Sequence, residues 1–219
     1  MITAKEAKTI ISQNIKDFGT EKVDLMQSMG RVLRENIYAD RDFPPYDRVT
    51  MDGIAINHHV FENGKKEFKI EGIAAAGSPQ KRLLNENGCL EVMTGSIMPL
   101  DVDTVVPYEE IDIKEGTARL KIESTIKGKN VHLRGFDKKT GDLLIRKGKK
   151  IGAPEIGVCS TVGKAQILVS KLPKAIIIST GDELVEIDET PLPHQIRKSN
   201  IYRLRSVLNK QGITASTLH

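Results

Sequence analysis

Between Thr3 and Gly19 apolar side chains recur at helical spacing, at Ala7, Ile10, Ile11 and Ile15. Thr3 and Glu6 stand before them at the separation of a capping box, so the pattern predicts an amphipathic opening helix that stops at Phe18-Gly19. A second, shorter helix is predicted over Asp24 to Met29, closed by Gly30, with Val32, Leu33 and Ile37 extended after it. Both helices read as packing elements. From Asp52 to about Ile126 the period changes to two, and strands are predicted at Gly53 to Ile56, Glu67 to Ile73, Cys89 to Met93, Thr104 to Pro107 and Thr117 to Ile122. Asn63-Gly64 and Glu115-Gly116 read as hairpin turns of this β region. Ala74 to Pro79 lacks bulk, which suits either a flexible loop or a close approach by another backbone or a ligand.

Asn130 to Gln166 is mixed in character, with an Arg134-Gly135-Phe136-Asp137 corner, a strand at Leu143 to Ile145, a lysine-rich turn at Lys147 to Lys150 and a short helix begun by Pro154. A strand from Gln166 to Ser170 follows, and this piece is expected to pack with the N-terminal helices, which makes the β region an insertion. Pro173 marks a boundary. Ala175 to Ile178 is an unbroken apolar run of the kind found in strands buried on both faces, and it leads into Ser179-Thr180-Gly181-Asp182-Glu183. Ser199 is placed to cap a helix bearing Ile201, Leu204 and Leu208 on one face and ending at Gly212, and Ile213 to Leu218 begins another strand. That order is the opening of an open α/β sheet, in which ligands bind beyond the carboxyl ends of the strands. The fold class expected is therefore α+β and multidomain: residues 1–50 with 130–172 as a discontinuous helical and mixed domain, 51–129 as an inserted all-β domain, and 173–219 as the start of an α/β domain. One βαβ unit leaves a strand with an open face and an unpaired edge, which predicts dimerisation through that region, disorder there, or origin in a longer protein.

Composition narrows the class without naming a chemistry. At 219 residues, 39% hydrophobic and 28% charged, the chain reads as a soluble globular protein, and with five Phe, four Tyr and no Trp its core must be built from aliphatic side chains. The net charge of +4 is spread over interleaved acids and bases, which points to a solvated mixed surface and no nucleic-acid partner, and no run approaches the ~18 apolar residues needed to span a bilayer, so no membrane partner is expected. Cys89 and Cys159 lack metal-ligand spacing and are expected to be buried or half-buried free thiols in a reducing, cytoplasmic setting. His58 and His59 are adjacent and are read as surface residues.

The candidate chemistry begins in Phe43 to Ile56, FPPYDRVTMDGIAI. Its prolines stiffen a turn, and Met51-Asp52-Gly53 sets an acid beside a residue able to take positive φ and to leave room for a ligand. By pattern alone this is a turn entering a strand. Three further polar loops accompany it: Thr94-Gly95-Ser96 with a hydroxyl and a bare backbone NH, Arg134 to Asp137, and Ser179 to Glu183. Acids, hydroxyls and glycine amides in separate loops suit a phosphorylated ligand held by NH and OH donors, with carboxylates coordinating Mg²⁺ or orienting a nucleophile.

The succession PYDRVTMDGIA, GCLEVMTGSIMPLDVDTVVPYEE, LRGFD, IIISTGDELVE and QIRKSN resembles the molybdopterin molybdenumtransferase (MoeA) family, which includes the E domain of gephyrin, over nearly the whole chain from Thr3 to Gly212. The resemblance implies molybdenum cofactor biosynthesis: insertion of molybdenum from molybdate into adenylylated molybdopterin, with Mg²⁺ as cofactor and release of AMP. It implies an elongated homodimer with the active site between one subunit's α/β domain and loops of the other's β region, and it admits the molybdopterin adenylyltransferase as a partner. Residues 173–219 then correspond to the start of a MogA-like, molybdopterin-binding domain. By position in the motifs, Asp52, Thr94, Asp137 and Glu183 are the implied catalytic residues, the acids orienting Mg²⁺ or water and Thr94 donating to an anion. Gly95, Ser179, Thr180, Gly181, Asp182, Ser199 and Asn200 are the implied cofactor-binding residues, with Ser199 equally suited to a plain N-cap. No metal ligands are assigned.

The chain departs from the family pattern at Val49 and Thr50, where Ser-Ala is usual, at Ile54 in place of Tyr, and at Ser96 in place of Ala. The family's remaining α/β segment, with a Gly-Gly-x-Ser phosphate loop, Mg²⁺-binding acids and basic residues, and its small C-terminal β domain have no counterpart before His219. The expectation is therefore a truncated portion that does not complete the reaction alone. A non-catalytic, dimeric scaffold of the gephyrin E type is the alternative.

Overall fold

The strand Gly53–Ile56 is buried along its whole length, and both faces of it carry a core. Successive strand residues point to opposite faces. Ile54 and Ile56 enter one cluster with Phe61, Phe68, Cys89, Val106, Ile111, Ala118 and Leu120, while Ala55 enters another with Val49, Ala74, Val92, Met98 and Val105. Full burial of each isoleucine is worth about 1.5–3 kcal/mol, and the sheet is built around that double packing. The computed structural model in which this is seen describes residues 2–219 and is a mixed α/β fold with few helices.

Two compact units make up the chain: Tyr38–Asp142, and the flanking segments Met1–Ile37 with Leu143–His219. The first holds a six-stranded sheet in the spatial order Thr104–Pro107, Gly53–Ile56, Gly88–Val92, Glu67–Ala74, Thr117–Leu120, Ile111–Lys114. All pairs are antiparallel except Glu67–Ala74 with Gly88–Val92, whose register shifts between Ile70 and Ile73. The periodicity located five of these strands and missed the edge strand Ile111–Lys114, of which only Ile111 is buried. Glu115 at φ 49° and Gly116 at φ 74° form the turn that joins it to Thr117–Leu120, as their hairpin signal predicts. Asn63-Gly64 is not a hairpin. A helix, His58–Glu62, precedes it, and the Asn63 and Gly64 amides close that helix onto His59 and Phe61 carbonyls.

His58 corrects the expectation of a surface residue: it is 7% exposed, with Nε2 3.0 Å from the Thr125 carbonyl and its amide donating to Asp103 Oδ1 at 2.9 Å. The two cysteines are buried free thiols, as expected. Burial, followed by the charges of Glu91 and Glu71, pushes the Cys89 thiol up to about 12.

The proline-rich stretch is laced to the Arg-Gly corner. Arg48–Val49 pairs with Val131–His132, and backbone bonds run from Gly135 to Pro44, from Asp137 to Phe43 and from Ala39 to Asp142. Asp42 ties the lacing together, its Oδ1 accepting from the amide and hydroxyl of Thr140, each at 3.0 Å, and its Oδ2 from Arg134 Nε at 2.7 Å.

In the second unit the capping box at Thr3 and Glu6 starts the helix Ala4–Gln13. This helix buries none of its residues, so it does not act as the packing element expected of it; Ile10, Ile11 and the following Ile15 are exposed. The segment predicted helical from Asp24 to Met29 is a single 3₁₀ turn, Leu25–Ser28, led in by a strand the pattern did not show, Thr20–Asp24, which pairs antiparallel with Gln166–Ser170. A helix follows the Pro154 signal at Ala153–Thr161. Ala175–Ile178 and Ala215–Leu218 pair in parallel, and the helix Asn200–Lys210 packs Ile201 against Ile177 and Ala215. Ala175–Ile178 is not buried on both faces: Ile177 is covered, but Ile176 and Ile178 are 67% and 64% exposed because the helix covers one side only. The Ser199 side chain makes no capping hydrogen bond to this helix.

Candidate functional site

Strand register brings the first two candidate residues together. Asp52 immediately precedes Gly53–Ile56, Thr94 follows Gly88–Val92 by two residues, and Gly53 pairs with Val92. Asp52 Oδ1 accepts from the Thr94 amide at 2.6 Å and from the Thr94 hydroxyl at 2.7 Å. These two bonds, the amide first, hold the exposed carboxyl below the usual aspartate range, so it is ionised throughout the neutral region. Oδ2 accepts no hydrogen bond among the described residues, and the residue is exposed. Thr94 has both its donors engaged by Asp52 and so acts here on the acid.

Gly53 is needed for the close passage of the chain's own neighbouring strand. A Cβ on it would lie 2.1 Å from the Val106 carbonyl oxygen and 2.8 Å from Pro107 Cα. The room that the sequence reading gave to a ligand is filled by Thr104–Pro107. The Gly95 NH, read as bare, donates to the Val49 carbonyl at 2.9 Å, and the Gly95 carbonyl accepts from the Tyr46 hydroxyl at 3.4 Å. Ser96 is buried with its hydroxyl unpartnered among the described residues.

Beside Asp52 lies a pair that the sequence reading did not single out. The Tyr108 amide donates to the Asp52 carbonyl at 3.2 Å, and the Tyr108 hydroxyl donates to Glu91 Oε2 at 2.7 Å. Burial first, then the bond and charge of Glu91 and the charge of Asp52, push the phenol up to about 12, so it remains a donor at any working pH. Both residues lie in the GCLEVMTGSIMPLDVDTVVPYEE stretch, Glu91 on the strand Gly88–Val92 and Tyr108 in a 3₁₀ turn, and only the fold pairs them.

Asp137 stands elsewhere in the same unit. Its amide donates to the Phe43 carbonyl at 2.9 Å, and its Oδ1 lies 3.2 Å from His132 Nε2. The other acid of the opening stretch, Asp47, accepts from the Arg134 amide at 2.7 Å and so shapes the corner that carries Asp137.

The remaining candidates belong to the second unit. Ser179, Thr180, Ser199 and Asn200 line one cleft at the carboxyl end of Ala175–Ile178, together with Lys198. Open α/β sheets bind ligands at that end. The Ser179 hydroxyl is 3.0 Å from His219 Nδ1. Lys198 is buried and donates to Glu186 Oε1 at 2.6 Å, which holds the Glu186 carboxyl below its ordinary range. Gly181, Asp182 and Glu183 form the adjoining turn rather than the cleft wall: the Gly181 carbonyl accepts from the Leu184 amide at 3.0 Å, Asp182 is exposed, and a side chain on Gly181 would meet the Glu183 carboxylate at 2.5 Å.

No group of three or more His, Cys, Asp or Glu side chains able to hold a metal ion occurs among the described residues. The residues present do not assemble a protein cage for Mg²⁺. Among the described residues no helix is long and apolar enough to cross a membrane.

Comparison with known proteins gives a consistent result. The family described as MoeA N-terminal region (domain I and II) matches residues 2–163. A molybdopterin molybdenumtransferase of Synechocystis sp. is 41% identical over 213 residues, which is 97% of this chain and 55% of that protein. One from Staphylococcus aureus is 31% identical over 216 residues, 97% of this chain and 51% of its own length. The chain thus spans about half the length of the curated relatives it matches. Among solved structures, a molybdopterin biosynthesis moeA protein from Pyrococcus horikoshii OT3 superposes with a TM-score of 0.88 at 26% identity, covering 98% of this chain and 59% of that one. A second Pyrococcus structure of the same description gives 0.81 at 27% identity, covering 99% and 56%.

Proposed function

The chain belongs to the MoeA family, and from that premise we propose that it serves molybdenum cofactor biosynthesis, as the N-terminal half of a molybdopterin molybdenumtransferase. The reaction is insertion of molybdenum from molybdate into adenylylated molybdopterin with release of AMP. The observation that carries this reading is the Asp52–Thr94 pair, an ionised carboxylate fixed at one oxygen by two donors of one residue and open at the other.

An ionised carboxylate repels molybdate and phosphate, so Asp52 works as an acceptor: it orients a water or a cation, and Thr94 sets its direction. Anionic groups are better matched by the donors of the second unit's cleft, the hydroxyls of Ser179, Thr180 and Ser199 and the amide of Asn200. Glu183 and Asp137 are further acceptors in this proposal. A homodimer belongs to the same reading, as does Mg²⁺, which commonly binds through one or two carboxylates together with substrate phosphates and water.

The test is to mix the gene's full-length product with molybdopterin adenylate and follow AMP. Molybdate-dependent AMP release is expected. Absence of AMP, or release that ignores molybdate, would overturn the proposal.

A further inference from the structure

Lys198 is only 8% exposed, and both of its ends are bonded to consecutive residues. Its amide donates to the Val185 carbonyl at 2.9 Å, and its Nζ donates to Glu186 Oε1 at 2.6 Å. The first bond continues the parallel pairing of Leu184–Val185 with Ile196–Arg197, in which the Ile196 amide donates to the Glu183 carbonyl at 2.8 Å. The second ties that pairing to the helix Asn200–Lys210, because the Tyr202 hydroxyl, in the first turn of the helix, donates to Glu186 Oε2 at 3.4 Å. A lysine so buried requires a partner, and Glu186 supplies it, so the charge is matched within the wall and is not offered to the cleft. Ser199 and Asn200 come directly after Lys198 and line the cleft with Ser179 and Thr180. Ser199 makes no capping bond, which leaves its hydroxyl uncommitted to the helix. Both residues are exposed, and the chain on either side of them sets where their donors stand: the helix after, Lys198 before.

We propose that Lys198 is a positioning residue for Ser199 and Asn200: bonded to Val185 and Glu186, it fixes the start of the helix against the paired segments 184–185 and 196–197 and so holds the two cleft donors in place. The inference deepens the reading of the cleft as the holder of the substrate's anionic groups and rests on it. Lys198 acts through its neighbours and touches no ligand. Donors held in place before the ligand arrives lose less freedom on binding, so the effect falls on binding rather than on the chemical step.

Two measurements on the full-length product test it. Proton–nitrogen spectra of the lysine ammonium groups should contain a signal slow to exchange with water that Lys198→Met removes and Glu186→Ala abolishes; a Lys198 ammonium exchanging as fast as those of exposed lysines would overturn the pair. In the AMP assay, Lys198→Met should raise KM for molybdopterin adenylate roughly tenfold, the equivalent of one charge-assisted hydrogen bond, with kcat little changed. The Glu186 side chain is 49% exposed and can be replaced without opening the core, so the pair can also be broken from that side. Glu186→Ala should raise KM likewise, and Glu186→Gln, which keeps an acceptor for Nζ, should recover most of the loss. In a background carrying both Ser199→Ala and Asn200→Ala, Lys198→Met should cost nothing further. A native KM in that background itself would sink the reading of the cleft while leaving the ammonium result standing. A raised KM there beside a native KM in Glu186→Ala, or losses that multiply when Lys198→Met is added, would sink the positioning role alone.

Discussion

Asp52 Oδ1 receives two hydrogen bonds from a single residue, the Thr94 amide at 2.6 Å and the Thr94 hydroxyl at 2.7 Å. The partners are 42 residues apart in sequence and meet because Gly53 and Val92 pair across two adjacent strands. The carboxyl is thereby kept ionised by geometry that the central sheet supplies.

Thr94→Val keeps the amide bond and removes the hydroxyl bond. The Asp52 carboxyl should titrate at a higher pH in the variant, read from its side-chain carbon resonance, since both bonds lower it in the native protein. An unchanged titration would mean that the hydroxyl bond does not form in solution.

Gly53→Ala puts a methyl group 2.1 Å from the Val106 carbonyl oxygen, inside a strand packed on both faces. The obstacle is backbone and cannot rotate away, so urea melts should show a loss of about 3 kcal/mol or more. The loss should appear with no ligand present, because the glycine serves the sheet rather than a bound molecule.

Asp42 is held down to about 2 by the Thr140 amide, then by the Arg134 side chain and the Thr140 hydroxyl. Its folded pKa lies below the ordinary 3.8, so the stability it contributes is fully present above that value and is lost as pH falls toward about 2. Asp42→Asn should therefore be less stable than the native protein at neutral pH, and the two melting curves should converge between about pH 4 and pH 2. A gap that stays constant over that window would show that the ionised carboxylate is not what the corner depends on.

The Ser96 hydroxyl is buried without a partner among the described residues. Ser96→Ala removes a desolvated polar atom and leaves the packing, so it should raise stability by about 1 kcal/mol in denaturant melts. Destabilisation would place a bonded water or ligand on that hydroxyl.

How much of this was legible depended on whether the signal was local. Gly53–Ile56 and Thr104–Pro107 could be read to their exact bounds because each is a short, mostly apolar run that follows an acid and stops at a polar residue or Pro. Thr20–Asp24 could not be read: TEKVD carries no such run and is a strand only because Gln166–Ser170 pairs with it from across the chain. His58 is buried by a partner at Thr125, and the Asp42 knot joins residues 92 and 98 positions away, so neither leaves a local mark. Ile176 and Ile178 share the apolar character of Ile177, yet one helix covers one face of the strand, and composition does not reveal which side is left open. For the candidate site, motif order pointed to Asp52 and Thr94 as separate groups, and strand register made them a pair. Tyr108 with Glu91 and His132 with Asp137 were hidden for the same reason, their contacts being made across strands and loops.

The most direct test of the account is the rate of molybdate-dependent AMP release by the full-length product carrying Asp52→Ala. A fall on the order of 100-fold or more, with the melting transition still cooperative, is expected if the Thr94-held carboxylate does the orienting work assigned to it. A rate equal to that of the native protein would contradict the account.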